Sequence, residues 1–348
     1  VSRRGWMLFV ALGIIWGIPY MLIKVAVEEL TPASIVLGRT AIGAALLLPL
    51  AARKGYLRPL LPHWRPLLAF TLVEVCIPWY LLGYAEQELS SSLTGLLVAA
   101  VPLVGAVLVW LMGTERPGGR RLAGLLVGFA GVAALVGFDV EASSPTPVLA
   151  VAGTAVCYAV GPIILARWLS QLPGLGVMAA SLTASAVLYL PLGLAQWPGE
   201  ALSGEVWLSV TGLGLVCTVA AFLVFFALVA EVGPSRATVI TYVNPAVALL
   251  LGVAVLDERI TVFTGLGFGL ILVGSVLATS RDKVPDAVPA IAAAGQVAEP
   301  VEATDREAAS APGRTVGSAN GSTAGRAAPH RDALDVTCDD IARPVPEP

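Results

Sequence analysis

Residues 88–116 read ELSSSLTGLLVAAVPLVGAVLVWLMGTER, and residues 231–259 read EVGPSRATVITYVNPAVALLLGVAVLDER. Laid over one another without a gap, 143 positions apart, they match Glu88 to Glu231, Ser92 to Ser235, Pro102 to Pro245, Val104 to Val247, Leu108 to Leu251 and Glu115-Arg116 to Glu258-Arg259. The same offset carries Gly124 onto Gly267 and Gly131 onto Gly274. In an apolar chain aliphatics coincide by chance, but these are mostly the prolines, glycines and charged residues that fix kinks, close approaches and helix ends. A repeat of this kind in a membrane protein points to a carrier built from two related halves.

The membrane is written into the composition. Only 13% of the 348 residues are charged, and the mean hydropathy is +0.82. Apolar runs of about twenty residues recur over the first 280 positions, each long enough to cross a hydrocarbon core of roughly 30 Å at about 1.5 Å per residue. The runs predict ten spans: 6–27, 34–52, 66–86, 91–112, 120–138, 147–168, 177–197, 206–230, 235–256 and 261–280. The expected fold is therefore an all-α membrane protein, its ten transmembrane helices arranged as two inverted five-helix repeats around a central cavity. The first span is too long for a signal-peptide core and is expected to remain in the mature protein.

Basic residues set the orientation. With the N-terminus in the cytoplasm, that side receives Arg3, Arg4, Arg53, Lys54, Arg58, Arg65, Arg116, Arg120, Arg121, Arg167, Arg236, Arg281 and Lys283. The opposite loops receive Arg259 alone, together with Glu28, Glu29, Asp139, Glu141, Glu200 and Glu205. That asymmetry places both termini inside, and five spans per half make the repeat inverted. The net charge of −3 conceals two regimes, because residues 284–348 carry five basic and ten acidic groups. This stretch is rich in Ala, Pro, Gly and Ser, has no sustained apolar period, and is expected to be a disordered cytoplasmic tail.

These residues resemble the EamA-type transporters of the drug/metabolite transporter superfamily. Trp16-Gly17-Ile18-Pro19-Tyr20 followed by Ile23-Lys24 is similar to that family's opening helix. Ala85 to Arg116, with Pro102, is similar to its fourth helix, and Ala227 to Arg259, with Asn244-Pro245 and Asp257-Glu258-Arg259, is similar to the second copy. The resemblance covers residues 5–138 and 147–281 as two repeats and excludes the tail, 284–348. It implies alternating access and export or exchange of small organic metabolites, such as amino acids or drug-like compounds, without ATP.

Ionisable residues inside spans each cost at least about 2.5 kcal/mol at the bilayer centre unless compensated, so they mark function by default. Glu74 lies deep in the third span, where a carboxyl can bind and release a proton or neutralise a cationic substrate. Its alternative is a protonated acid bonded to a neighbouring hydroxyl or carbonyl. Lys24 and Arg39 fall in the outer leaflet, too far in depth from Glu74 for a simple ion pair. They are expected to snorkel to the headgroups or to line an outer vestibule that attracts carboxylate or phosphate.

Trp16, Tyr20, Trp79 and Tyr158 are candidate aromatic walls of the cavity. Thr241, Tyr242 and Asn244 cluster ahead of Pro245, which frees a carbonyl one turn back. Pro19, Pro102 and Pro245 are candidate kinks. Glycines 124, 128 and 131, and 265, 267, 269 and 274, let helices approach closely, with homodimerisation as their outside use. Glu115-Arg116 and Glu258-Arg259 read as turn residues at span ends, with a gating role as their alternative.

An intramembrane enzyme is the competing class, and a membrane scaffold signalling through its tail is a third. The two histidines, His63 and His330, fall in a loop and in the tail. The four cysteines have no metal-ligand spacing, and no phosphate-binding GxxxxGK[ST] loop appears. Neither a cofactor, a metal nor nucleic acid is expected. The partners are a small-molecule substrate and membrane lipid.

Overall fold

A computed structural model of the chain describes residues 2–113, 118–138, 145–233 and 238–279. The Glu115-Arg116 pair, Ser235 and the tail 284–348 lie outside the described residues. Nine helices there are long and apolar enough to cross a membrane. They are α1 (Arg3–Ala26), α2 (Pro32–Arg53), α3 (Arg58–Glu86), α4 (Ser91–Leu111), α5 (Gly119–Gly137), α6 (Thr146–Leu169), α7 (Gly174–Ala195), α8 (Gly204–Val232) and α10 (Val262–Thr279). Between α8 and α10 runs a shorter apolar helix, α9 (Ile240–Leu256). The chain is a multi-pass membrane protein.

The helix starts follow from local chemistry. Ser2, Thr31, Ser90 and Ser203 each accept, on their own hydroxyl, an otherwise unpaired amide of the first turn: Gly5, Ser34, Leu93 and Val206 respectively. Pro32 begins α2, where its missing N–H costs nothing. The two proline positions of the repeat interrupt their helices in similar ways. α4 breaks at Ala99-Ala100 and restarts at Val101 with Pro102 in its first turn. The chain entering α9 makes a tight 3₁₀ turn over Thr238–Tyr242 and restarts at Asn244 with Pro245. α1, by contrast, stays helical through Pro19.

Three helices contain a wide π-helical turn: Thr71–Cys76 in α3, Leu165–Leu169 in α6 and Leu215–Ala220 in α8. Such turns insert one residue into the helical register and occur often at functional sites. The 143-residue offset places Glu74 on Cys217, and both sit in one of these turns.

Packing pairs α2 with α7, α4 with α9, α5 with α10, α3 with α6, and α1 with both α8 and α9. Glycine makes the closest of these. A Cβ at Gly131 would meet the carbonyl of Gly267 at 2.7 Å and the amide of Ile271 at 2.8 Å. One at Gly274 would run into the backbone of Gly128, which cannot yield. The glycines read from the sequence as packing residues thus form the α5–α10 contact, although Gly265 and Gly269 face open space.

The two ends of the bundle differ in their polar ties. At one end Arg4 pairs with Glu231 at 3.9 Å, and the Ser2 hydroxyl donates to the same carboxylate. At the other, Glu29 accepts the Ser203 amide at 2.9 Å.

Candidate functional site

Arg39 enters the middle of the bundle. It is 6% exposed, which corrects the expectation that it snorkels to the headgroups. Its Nε donates to the Thr218 hydroxyl at 2.9 Å, and a terminal nitrogen lies 3.5 Å from the Cys217 carbonyl. Both partners belong to the wide turn of α8. The Thr218 hydroxyl in turn donates to the Leu213 carbonyl at 2.8 Å, so its acceptor side is left for the guanidinium. The guanidinium carbon stands 3.6 Å from the centre of the Trp79 ring, a cation–π contact. No carboxylate of the described residues pairs with it. A buried guanidinium with five donors, few protein partners and no counter-ion is suited to an anionic group of a ligand.

Glu74 occupies the wide turn of α3. That turn is tied to α7, where Thr71 shares a hydrogen bond with Ser181 at 2.9 Å and Tyr189 donates to the Cys76 carbonyl at 3.0 Å. The carboxyl group projects toward α6, into space that exists because residue 161 is glycine; a Cβ there would overlap Glu74 Oε2. That oxygen is enclosed and has no hydrogen-bond partner.

Tyr158, one turn before Gly161 on α6, packs against the apolar cluster that holds Trp79 and also against the one that holds Tyr20, and it is near enough to Glu74 and Arg39 for their charges to act on it. Tyr20 of α1 lies within reach of Tyr158, Arg39 and Glu86. Glu74, Tyr158, Trp79, Arg39 and Tyr20 therefore form one polar and aromatic cluster contributed by α3, α6, α2 and α1.

The remaining expected site residues lie elsewhere. The Lys24 ammonium donates to the carbonyls of Glu86 and Leu89, at 2.7 and 2.9 Å, and so caps the end of α3. Trp16 packs on Phe222 and Phe225 of α8. With its amide correctly turned, Asn244 donates to the carbonyls of Ile240 and Gly13, at 3.1 and 3.3 Å, which joins α9 to α1. Tyr242 faces Thr279 at the end of α10, 3.3 Å away, and Thr241 is exposed.

Three residues of this region, Thr218, Cys217 and Glu86, escaped the sequence reading. Thr218 and Cys217 sit in the apolar run LVCTVA of α8, where the one available signal was the offset from Glu74. Glu86 closes the third span, where an acid reads as water-facing, yet it is 0% exposed. Among the described residues no group of three His, Cys, Asp or Glu side chains is placed to hold a metal ion.

Comparison with known proteins fixes the family. The EamA-like transporter family matches residues 3–137 and again residues 145–280. The uncharacterized inner membrane transporter YedA of Escherichia coli (strain K12) is 30% identical over 292 residues, covering 81% of this chain and 92% of its own. The uncharacterized transporter YvbV of Bacillus subtilis (strain 168) is 27% identical over 295 residues, covering 82% and 95%. One solved crystal structure superposes with a TM-score of 0.58 at 22% identity over 80% of this chain and 97% of that one, a likeness of fold alone. Matched twice by the family and along most of its length by these relatives, the chain belongs to the EamA-like transporter family, within the drug/metabolite transporter superfamily.

Proposed function

We propose that this protein is a secondary active exporter of small organic metabolites that carry both an acidic and a basic group, amino acids being the simplest class, exchanged for protons through Glu74. The observation that carries the reading is the cluster itself. Among the described residues Arg39 is a buried cation without a counter-ion and Glu74 a carboxyl with an enclosed, unpartnered oxygen, and both stand near Tyr158. An amphoteric solute supplies what each lacks: a carboxylate for Arg39 and an ammonium for Glu74. Trp79, Tyr158 and Tyr20 offer faces for its organic part.

The architecture we infer is ten spans in two inverted five-helix repeats, with α9 as the ninth. The 143-residue offset supports it, as do the double family match and the helix pairing. Exchanging each helix for its repeat partner returns α2–α7, α4–α9 and α5–α10 to themselves and turns α3–α6 into α8–α1. Alternating access follows by rocking about this pseudo-twofold axis. Both termini lie in the cytoplasm on the distribution of basic residues, which puts the Arg4–Glu231 end inside and the Glu29–Ser203 end outside.

Labelled counterflow in proteoliposomes tests the substrate class. Liposomes preloaded with one compound, screened over amino acids, nucleosides, sugars and cationic drugs, should accumulate an amphoteric compound. Arg39→Gln should weaken its half-saturation about 10- to 100-fold, the worth of roughly 1.5–3 kcal/mol for a hydrogen bond to a charged group. Exchange of uncharged sugars or nucleosides, unaffected by Arg39→Gln, would refute the assignment.

A further inference from the structure

The end of α3 and the start of α4 meet in a short turn that is held from two sides. From α1, the Lys24 ammonium donates to the Glu86 and Leu89 carbonyls at 2.7 and 2.9 Å. From the turn after α9, the Glu258 carboxylate accepts the Ser91 amide at 2.7 Å and the Ser92 amide at 2.9 Å, the unpaired donors of the first turn of α4.

The chain is shaped for the second tie. Asp257 adopts the left-handed conformation, φ 52°, which turns the Glu258 amide back onto the Gly252 carbonyl at 3.1 Å. Residue 252 is glycine where the Ser92 hydroxyl and a Glu258 oxygen occupy the place of a Cβ. Glu258 belongs to the second half of the chain and α4 to the first, so the bond closes one mouth of the bundle across the two halves.

Beneath this closure lies Glu86, 0% exposed, neither of whose carboxyl oxygens has a partner. The charged and titratable groups that face it are Lys24 and Tyr20 from α1 and Glu258 from the α9–α10 turn. Lys24 is spent on backbone carbonyls and leaves the carboxyl oxygens unpaired.

We propose that Glu86 is a second exchangeable-proton site and the trigger of an outer latch: when it gives up its proton to the outer water, Lys24 swings from the two carbonyls to the new carboxylate, and Glu258, repelled by the same charge, leaves the amides of α4. Protonation restores both ties and closes the mouth. Two like charges in a low-dielectric enclosure cannot both persist there without a counter-ion, and Lys24 can serve one of them at a time. The placement of this mouth on the outer face rests on the proposed function; the latch itself does not.

Thiol accessibility reads the latch without any substrate. In the full-length chain with Cys76, Cys157, Cys217 and Cys338 replaced by alanine, Thr94→Cys puts a thiol one turn inside the closure, at a position 0% exposed. Its rate of reaction with a membrane-impermeant maleimide, added to one face at a time, is normalised at each pH to the rate in denatured protein.

The normalised rate should rise at least about tenfold from pH 6 to pH 8 from the outer face, because the four charge-assisted hydrogen bonds of the two ties are lost and the new Lys24–Glu86 contact offsets only part of them. Glu86→Gln should hold it at the low value throughout. Glu258→Gln should hold it high throughout, and Lys24→Met, which leaves an ionised Glu86 without its counter-ion, should abolish the rise between pH 6 and pH 8. A pH response that survives Glu86→Gln, or a rate unmoved by both Glu258→Gln and Lys24→Met, overturns the proposal. The same pattern seen from the opposite face keeps the latch and overturns the orientation in the proposed function.

Discussion

Replacing Gly161 by alanine tests whether the Glu74 carboxyl occupies the space that glycine leaves on α6. The added methyl carbon would overlap Oε2, lie 2.9 Å from the carboxyl carbon and 3.3 Å from the Glu74 Cβ. The first two contacts are shorter than real Cβ atoms show, so the carboxyl group must move, while the Glu74 Cβ need give only by a few tenths of an ångström. Overpacking of this kind costs about 1–3 kcal/mol. The equilibrium occupied by the displaced carboxyl should then shift by about 5- to 150-fold.

Two controls isolate the cause. Gly105→Ala adds a methyl group whose nearest neighbour is the Ala159 Cβ at 4.0 Å, an ordinary contact, and should be neutral. In a Glu74→Ala background Gly161→Ala should also be nearly neutral, because the obstructing atoms are gone. The double-mutant cycle should therefore return a coupling of about 1–3 kcal/mol, within the range for residues in direct contact. Unfolding of the purified protein in graded SDS measures the stability term, and proton-driven flux in proteoliposomes measures the functional one. Additive effects of Gly161→Ala and Glu74→Ala would show that the carboxyl does not lie against α6, and the site as described would be wrong.

Other expectations follow from the same geometry. Thr218→Val keeps the shape of the side chain but deprives the buried Arg39 Nε of its acceptor; it should cost about 1–3 kcal/mol of stability in the same SDS titration, whereas Thr183→Val, whose hydroxyl bonds only its own helix at Ala179, should cost much less. Gly274→Ala should separate α5 from α10 and lower the denaturation midpoint clearly, while Gly269→Ala, which faces open space, should leave it unchanged. Glu29, held below the usual carboxylate range mainly by the backbone amide of Ser203, contributes stability that is present above the ordinary carboxylate range and lost as pH falls through its depressed value. Glu29→Gln should therefore be slightly less stable than wild type at pH 7 and converge on it as pH falls through the depressed value. Each comparison fails if the paired variants behave alike.

What the sequence made legible was the periodic and the punctuated. Among the described residues, nine membrane-long helices and a shorter tenth lie where apolar length placed the spans. The spacing of the glycines marked them as close-packing positions, because a missing Cβ has the same consequence wherever it occurs, but it did not say which helix would fill the space. Side-chain direction was harder to read. Arg39 stands near the start of α2 and Lys24 near the end of α1, but one turns onto the α8 turn and the other onto the end of α3. Only the tertiary neighbours decide between these and the headgroups.

Depth along an ideal helix separates Arg39 from Glu74, and among the described residues no ion pair joins them. What depth alone did not show is that Tyr158 stands near both. Wide turns have no compositional signature that distinguishes TLVEVC or LVCTVA from continuous helix. Asn244 and Trp16 were chosen for chemistry that fits a cavity, and the same chemistry fits a helix–helix bond and an aromatic contact.

The most direct test of proton exchange through Glu74 is the movement of protons themselves. Proteoliposomes carrying a pH gradient and a trapped pH-sensitive dye, with the amphoteric compound identified by counterflow added, should lose the gradient only when wild-type protein and compound are both present. Glu74→Gln should hold the gradient while still exchanging labelled compound across the membrane. Dissipation that persists in Glu74→Gln, or counterflow in wild type that leaves the gradient untouched, would contradict the account.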